Sequence, residues 1–205
     1  MPRGFRLPKL GVSPTFLLSI ALHLWFGLSA WLKDLLLAAL LHECGHALAL
    51  WYCGIPIRGV HLTSLGAVLQ VETPSYKTEV ICAAAGPAVN AALAAMVFRA
   101  FPAFGLCNLG LLAFNLLPLY PLDGGRILRA ALHTGEDPVK AEKTESRIAV
   151  ASVCAVMLTS VLVGRFVTHN LFPPLLAASV LIRPVAAERF WQRKQFPLDK
   201  DENLR

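Results

Sequence analysis

Charged residues are scarce in this chain of 205 residues. Asp, Glu, Lys and Arg together make up 16% of it, hydrophobic residues make up 56%, and the mean hydropathy is +0.57. A water-soluble domain carries about 25% charged and about 45–50% apolar residues. The low share of charge therefore excludes an ordinary soluble domain and favours a protein embedded in a membrane.

Four long stretches of the sequence carry no Asp, Glu, Lys or Arg. Each is close to the roughly 20 residues that a helix needs to cross about 30 Å of hydrocarbon. Leu35–Trp51 is equally apolar except for a cluster of ionisable residues, and Phe166–Ile182 is a weaker sixth candidate. The pattern predicts an all-α polytopic membrane protein with about six transmembrane helices. The four runs are Val12–Leu32, Val80–Phe98, Ala100–Leu122 and Ile148–Gly164.

Lysine and arginine are distributed unevenly between the predicted loops. With six crossings and a cytoplasmic N-terminus, all but Lys33, Arg99 and Arg165 of the 19 lysines and arginines lie on the cytoplasmic side. Cytoplasmic loops carry such an excess. We therefore expect a multi-pass protein of the cell membrane with both termini in the cytoplasm. Topology explains the net charge of +6, so we expect no nucleic-acid partner.

The basic N-terminus followed by an apolar run has features of a secretory signal peptide. The run is long for the apolar core of a signal, and another apolar segment follows almost at once. We therefore expect a retained first helix, with cleavage of a signal peptide as the alternative.

The cysteines lack any pairing pattern. None forms a C-x-x-C motif, and all five lie within or at the ends of apolar segments. This excludes a disulfide framework of the kind found in small secreted domains. Cys44 lies between two histidines, but it points away from their face of a helix, so we expect it to pack. The five are Cys44, Cys53, Cys82, Cys107 and Cys154.

The chain also lacks internal repeats and low-complexity tracts. We expect a single transmembrane domain over residues 1–205, with a core at 12–130, helices five and six at about 148–187 and a basic cytoplasmic tail at 188–205. No CBS or PDZ domain is expected. Between helices two and three, short β-rich runs surround a turn that contains glycine, which predicts a small β-hairpin at about 57–72.

The most specific motif is His42-Glu43-Cys44-Gly45-His46, an H-E-x-x-H sequence. On a helix, residues i and i+4 share a face, so two imidazoles can bind one zinc ion while the glutamate reaches a water molecule beside it. Placing a charged side chain at the centre of a membrane helix costs about 2.5–3.5 kcal/mol of insertion free energy. The alternative, a polar cluster that joins helices, does not require this spacing.

A catalytic zinc ion needs a third protein ligand. The first carboxylate downstream within a predicted membrane segment is Asp123, near the cytoplasmic end of segment four and at a depth similar to that of His46. Two prolines and Gly124-Gly125 interrupt a regular helix there, which could bring the carboxylate toward a neighbouring helix. An Asp-Gly turn that merely ends a helix is the alternative.

Three segments together resemble the site-2 protease family of intramembrane zinc metalloproteases. They are His42–His46, Gly86-Pro87-Ala88-Val89-Asn90 and the run from Asn115 to Gly124, in the family's order and separation. The last run, with the strand from Gly66 to Glu72, is most similar to the branch of stage IV sporulation protein FB. Members of that branch release a sigma-factor precursor from the membrane and normally continue into a CBS domain.

The resemblance implies a role for each matching residue. His42, His46 and Asp123 correspond to the ligands of one zinc ion per chain, and Glu43 to the general base. It further implies substrate binding or oxyanion stabilisation by residues of the other two segments, with Asn115 the foremost candidate. These residues are Asn90, Asn115, Pro121 and Gly124.

The sequence thus predicts a zinc metalloendopeptidase that hydrolyses peptide bonds of membrane-anchored protein substrates in or near the bilayer. Regulatory membrane partners or a homo-oligomer are compatible with this function. Two alternatives come from other classes. A divalent-metal transporter would place several ligands along a path, and a silent relative would bind membrane clients without cleaving them.

Overall fold

Helices dominate the structure, a computed structural model that describes residues 9–25, 29–63, 66–71, 74–135 and 137–166. Six helices and three strands lie within these residues. In chain order they are β1 Lys9–Val12, α1 Pro14–Trp25, α2 Ser29–Tyr52, β2 Ile57–Thr63, β3 Gly66–Val71, α3 Tyr76–Val97, α4 Pro102–Asn115, α5 Asp123–Gly135 and α6 Pro138–Phe166.

Three of the described helices are long and apolar enough to cross a membrane. The candidate spans are Trp31–Tyr52, Tyr76–Val97 and Pro138–Leu162, and the shorter apolar helix Pro102–Asn115 accompanies them. The predicted, mainly helical fold of a membrane protein is confirmed at this level. The predicted sixth segment, Phe166–Ile182, and the basic tail lie almost entirely outside the described residues.

The predicted hairpin is present between α2 and α3. Strands β2 and β3 pair antiparallel, with His61 opposite Val68. The structure adds a third strand, β1, which pairs parallel to β2 and places Lys9 opposite Gly59. The sequence did not reveal β1, because its four residues gain their hydrogen bonds only from a partner about fifty residues away.

The apolar run Ala100–Leu122 does not form one helix, in line with the interruption that its two prolines indicated. Helix α4 ends at Asn115, and Asp123 begins the separate helix α5 instead of lying near the end of the preceding helix. Pro118 and Pro121 lack the backbone N–H that would continue a helix. Apolar composition continued through this connection, so composition alone could not locate the helix end.

Glycines let the start of α5 pack tightly against the connection that precedes it. A Cβ atom at Gly124 would meet the carbonyl group of Leu116, and one at Gly125 would meet the backbone of Leu119. Two hydrophobic residues of the same connection, Leu119 and Leu122, form a buried cluster that packs against α6. The connection is therefore a packed element that fixes where Asp123 lies.

Other helix ends also differ from the prediction. Helix α2 begins at Ser29 and includes Lys33, which was expected in a loop, and α6 begins ten residues before Ile148. The carboxylate of Asp137 accepts a hydrogen bond from the backbone N–H of Val139 at 2.9 Å and so caps α6. Charged residues in the first turns of α6 keep it from being recognised by hydropathy, although the polar segment Thr134–Ser146 is expected to be helical in part.

Helix α3 lies at the centre of the bundle and packs against α2, α4 and α5. It begins at an N-cap serine, Ser75, whose hydroxyl group accepts a hydrogen bond from the N–H of Thr78. Its buried residues, single or in adjacent pairs, follow one another about every four positions and so form one face: Cys82, Ala83, Gly86, Pro87, Asn90 and Ala94.

Helices α2 and α3 approach each other closely at Gly45. A Cβ atom there would lie 2.8 Å from the carbonyl oxygen of Ala85 and 2.9 Å from a methyl group of Val89. Only a residue without a side chain lets the two backbones come this close, as in other membrane helix pairs.

The first prediction concerns this contact. Gly45→Ala should lower the free energy of unfolding by about 1–3 kcal/mol, because the added methyl group overpacks the interface. Unfolding of the detergent-purified protein, followed by circular dichroism, measures the change.

Gly110→Ala is the matched control. Gly110 also lies in a helix, but a Cβ atom there would meet nothing within 4 Å. This variant should be as stable as the unmodified protein or more stable by up to about 1 kcal/mol. Equal stability of the two variants would contradict the close packing of α2 and α3.

Candidate metal centre

Three buried side chains from two helices converge on one point. His42 and His46 come from α2 and Asp123 from the first turn of α5, and each is at most 5% exposed. The Nε2 atoms of the histidines are 3.0 Å apart. Oδ2 of Asp123 lies 3.1 Å from Nε2 of His42 and 3.2 Å from Nε2 of His46.

These separations fit a zinc ion. Zinc binds imidazole nitrogen and carboxylate oxygen at about 2.0–2.2 Å in tetrahedral geometry, which places neighbouring ligand atoms roughly 3.3 Å apart. The observed distances of 3.0–3.2 Å are close to that value. Within the part of the chain that the structure describes, His42, His46 and Asp123 form a group whose side-chain atoms lie close enough together to bind one metal ion.

The outer nitrogen of each histidine is held by α3. Nδ1–H of His42 donates to Oδ1 of Asn90 at 2.5 Å, and Nδ1–H of His46 donates to the backbone carbonyl of Cys82 at 2.8 Å. Each bond keeps the proton on Nδ1. The lone pair on Nε2 is then free to face the centre, as in metal sites whose histidines are oriented by outer partners.

Asn90 is itself fixed by a buried network. Its amide nitrogen donates to Oδ1 of Asn108 at 2.8 Å and to the carbonyl of Ala38 at 3.4 Å. Asn108 in turn donates to the carbonyl of Phe104 at 2.9 Å, and both asparagines are 0% exposed. Sequence reasoning missed Asn108, although an amide inside the apolar run Ala100–Leu122 was an available signal.

Gly86 leaves the space in which the ligand atoms meet. A Cβ atom at this position would lie against Nε2 of His46 and 2.7 Å from Nε2 of His42. The glycine of the second motif therefore lets the backbone of α3 approach the two imidazoles.

The remaining predicted site residues lie on α2, on α3 and in or beside the connection between α4 and α5. Glu43 follows His42 on α2 and is half-buried, and Asn115 is half-buried at the C-terminal end of α4. Pro121 is exposed in the connection to α5, and Gly124 packs against the Leu116 carbonyl. Asn90 accepts a hydrogen bond from His42, as described above. The predicted roles of these residues in catalysis or substrate binding stay predictions.

The chain is similar to several known proteins. The family model of Peptidase family M50 matches residues 97–159. A zinc metalloprotease of Methanocaldococcus jannaschii is 30% identical over 137 residues, which cover 60% of this chain and 40% of that protein. Stage IV sporulation protein FB of Bacillus subtilis is 33% identical over 133 residues, covering 58% of this chain and 46% of that protein.

A solved structure shares the fold. The site-2 protease from Methanocaldococcus jannaschii superimposes with a TM-score of 0.66 at 24% sequence identity, and the match covers 90% of this chain and 93% of that one. The chain spans less than half the length of the curated relatives described above. The resemblance to the site-2 protease family that the three motifs indicated is confirmed.

Gly86→Ala tests the space at the centre. The added methyl group would occupy the volume between the two Nε2 atoms, so zinc bound per chain should fall at least about tenfold. Zinc is measured by elemental analysis of the detergent-purified protein, and circular dichroism reports its helix content. Gly110→Ala, which adds the same methyl group in open space, should retain zinc.

Asn90→Ala tests the partner of His42. Without the amide oxygen of Asn90, the Nδ1 proton of His42 has no acceptor and the imidazole ring is no longer held in its orientation. Zinc affinity should therefore fall by about 10–100-fold. Competition with a chelator measures the affinity. Asn115→Ala removes an amide from the end of α4 and should leave zinc affinity unchanged. Equal losses in the two variants would contradict a specific role for Asn90.

Proposed function

We propose that this chain is an intramembrane zinc metalloprotease that hydrolyses peptide bonds of membrane-anchored proteins. The observation that carries the proposal is the convergence of His42, His46 and Asp123, with the first two inside a helix long enough to span a membrane. Hydrolysis needs water and a polar reaction centre, and this set supplies the polar centre within a mainly apolar bundle.

The two histidines and the aspartate hold the metal. Zinc bound there supplies Lewis acidity, which polarises a peptide carbonyl and lowers the pKa of water toward about 7. Asn90 and the Cys82 carbonyl keep both imidazoles in the tautomer that presents Nε2. Asp123 adds one negative charge, which partly offsets the charge of the ion.

Glu43 moves the proton. It is the neighbour of His42 in the H-E-x-x-H motif and is half-buried. During hydrolysis its carboxylate accepts a proton from the attacking water and then donates it to the amine that leaves when the C–N bond breaks. One carboxylate thereby serves both steps and ends in its starting state.

The connection between α4 and α5 lies next to this centre and supplies the proposed substrate contacts. Asn115, Pro121 and Gly124 belong to it or flank it. A donor amide at Asn115 would stabilise the oxyanion that develops on the scissile carbonyl. Asn90 is bound to His42, so we assign it to positioning of that ring in preference to substrate contact.

The sheet offers a surface for an unwound substrate. A helical peptide bond is shielded, so a substrate helix must open before attack. Strand β2 is paired on both sides, so β1 and β3 are the two edge strands of the sheet, and β3 is the edge strand that belongs to the hairpin. An extended substrate segment could add to this edge. A purely structural cover over the site is the alternative.

The topology completes the proposal. We propose about six crossings, a single domain over residues 1–205 and both termini in the cytoplasm, which the positions of 16 of the 19 lysines and arginines support. The three candidate spans and the short helix α4 fit this scheme. The substrate is a membrane protein whose cleavage releases a soluble part, such as a transcriptional regulator.

Glu43→Gln separates catalysis from metal binding. The unmodified protein should bind about one zinc ion per chain and cleave at least one of a panel of single-span membrane proteins reconstituted with it in liposomes. Glu43→Gln should retain zinc and lose about 10²–10⁴-fold in cleavage rate, because the amide cannot accept a proton. His46→Ala and Asp123→Ala should bind zinc much more weakly and lose cleavage.

Glu142→Gln is the control, since Glu142 is exposed on α6. It should cleave at the normal rate. Absence of zinc from carefully prepared protein would refute the proposal that the chain is a zinc metalloprotease. Undiminished cleavage by Glu43→Gln would refute its role in proton transfer.

A further inference from the structure

One face of α3 carries a stripe of residues directed at the metal centre. Glu79, Cys82, Gly86 and Asn90 follow one another at intervals of three, four and four positions, which places them along the same side of a helix. Asn90 and Cys82 each bind the outer nitrogen of one histidine, and Gly86 leaves room for the ligand atoms. The remaining member of the stripe, Glu79, lies one turn nearer the N-terminus of the helix.

Glu79 reaches the third ligand through an arginine. Oε1 of Glu79 accepts a hydrogen bond of 2.7 Å from Nε of Arg126, and a terminal guanidinium nitrogen of Arg126 donates to Oδ1 of Asp123 at 3.2 Å. The other carboxylate oxygen of Asp123, Oδ2, faces the two histidines. Arg126 therefore bridges Glu79 on α3 and Asp123 on its own helix, α5.

The bridge restricts the carboxylate of Asp123 to one orientation. A free carboxylate beside an arginine tends to form two parallel hydrogen bonds with the planar guanidinium. Here Nε of Arg126 is bound to Glu79 and one terminal nitrogen is bound to Oδ1 of Asp123, while Oδ2 faces the two histidines. The side chains are 21% exposed at Glu79, 27% at Arg126 and 6% at Asp123, so water competes only weakly for these contacts.

The charges along the bridge are also balanced. A guanidinium does not lose its proton in proteins, and that of Arg126 contacts the carboxylates of both Glu79 and Asp123. Arg126 therefore remains charged. Two carboxylates flank one cation, and the bond to Glu79 holds the guanidinium in place while it binds Oδ1 of Asp123.

We propose that Glu79 and Arg126 are positioning residues, which direct Oδ2 of Asp123 at the metal while Oδ1 is held. Helix α3 then orients all three ligands from one face: His42 through Asn90, His46 through the Cys82 carbonyl and Asp123 through Glu79 and Arg126. The inference rests on the proposed zinc site, and its test therefore reads metal affinity separately from proteolysis.

The experiment compares zinc affinity in the full-length, detergent-purified protein by competition with a chelator. Glu79→Gln and Arg126→Gln should each lower the affinity by about 10–100-fold, although neither residue is a ligand. Arg126→Lys keeps the charge but cannot present two hydrogen bonds from a planar group, so it should recover only part of the loss. Absorption of Co²⁺ bound in place of zinc should change in the two glutamine variants, because the coordination by Asp123 changes.

Two matched controls separate positioning from general loss of charge. Arg129→Gln removes an arginine that lies on the same helix over the ring of Tyr120. Glu142→Gln removes an exposed carboxylate on α6. Both should keep the zinc affinity of the unmodified protein, and thermal unfolding of the metal-free variants shows whether each protein is folded.

Combined variants test whether Glu79 acts through Arg126 and Arg126 acts through Asp123. Glu79→Gln together with Arg126→Gln should bind zinc as well as Arg126→Gln alone, because Glu79 acts through Arg126. In an Asp123→Ala background, Arg126→Gln should cause no further loss of affinity.

The inference is overturned if Glu79→Gln and Arg126→Gln bind zinc within twofold of the unmodified protein. It is also overturned if Arg126→Gln costs as much affinity without Asp123 as with it. Failure of the protease proposal would look different. The unmodified protein would then bind zinc and cleave none of the membrane proteins tested, while the affinity comparison would still decide the role of the bridge.

Discussion

The structure depends on holding three ligand atoms within about 3 Å of one another when they come from distant parts of the chain. His46 and Asp123 are separated by 77 positions in the sequence. Helix α3 packs against both of the helices that carry the ligands, and this contact makes the convergence stable. Gly45 and Gly86 are essential to it, because a side chain at either position would separate the backbones or fill the centre.

Buried polar groups make this arrangement specific. Asn90 and Asn108 are completely enclosed, and an amide without partners in such surroundings would cost about 1–3 kcal/mol or more. Both are paired, and their bonds lead to the ring of His42 on one side and to backbone carbonyls on the other. A network of this kind tolerates few alternative geometries, since each rotation would break a bond that water cannot replace.

The connection between α4 and α5 shows how apolar residues serve as more than membrane anchors. Leu119 and Leu122 are buried against α6, and the two glycines that follow pack against the preceding backbone. This packing ends one helix and starts the next at Asp123. The negative charge of that residue at the N-terminus of α5 also suits the dipole of the helix. The same local structure thus positions the ligand and stabilises the helix that carries it.

The sequence by itself determined the membrane character of the chain, the hairpin and the two histidines that share a helix face, because hydropathy and helical periodicity act over a few residues. It also identified Asp123 as a candidate ligand, with a simple helix-ending turn as an equal alternative. Only the tertiary structure brought the carboxylate of Asp123 beside the two histidines, and only it revealed strand β1, the end of α4 at Asn115 and the contact of Glu79 with Arg126. Each of these features depends on groups far apart in the chain, whose proximity is produced by helix packing and leaves no periodic pattern in the sequence.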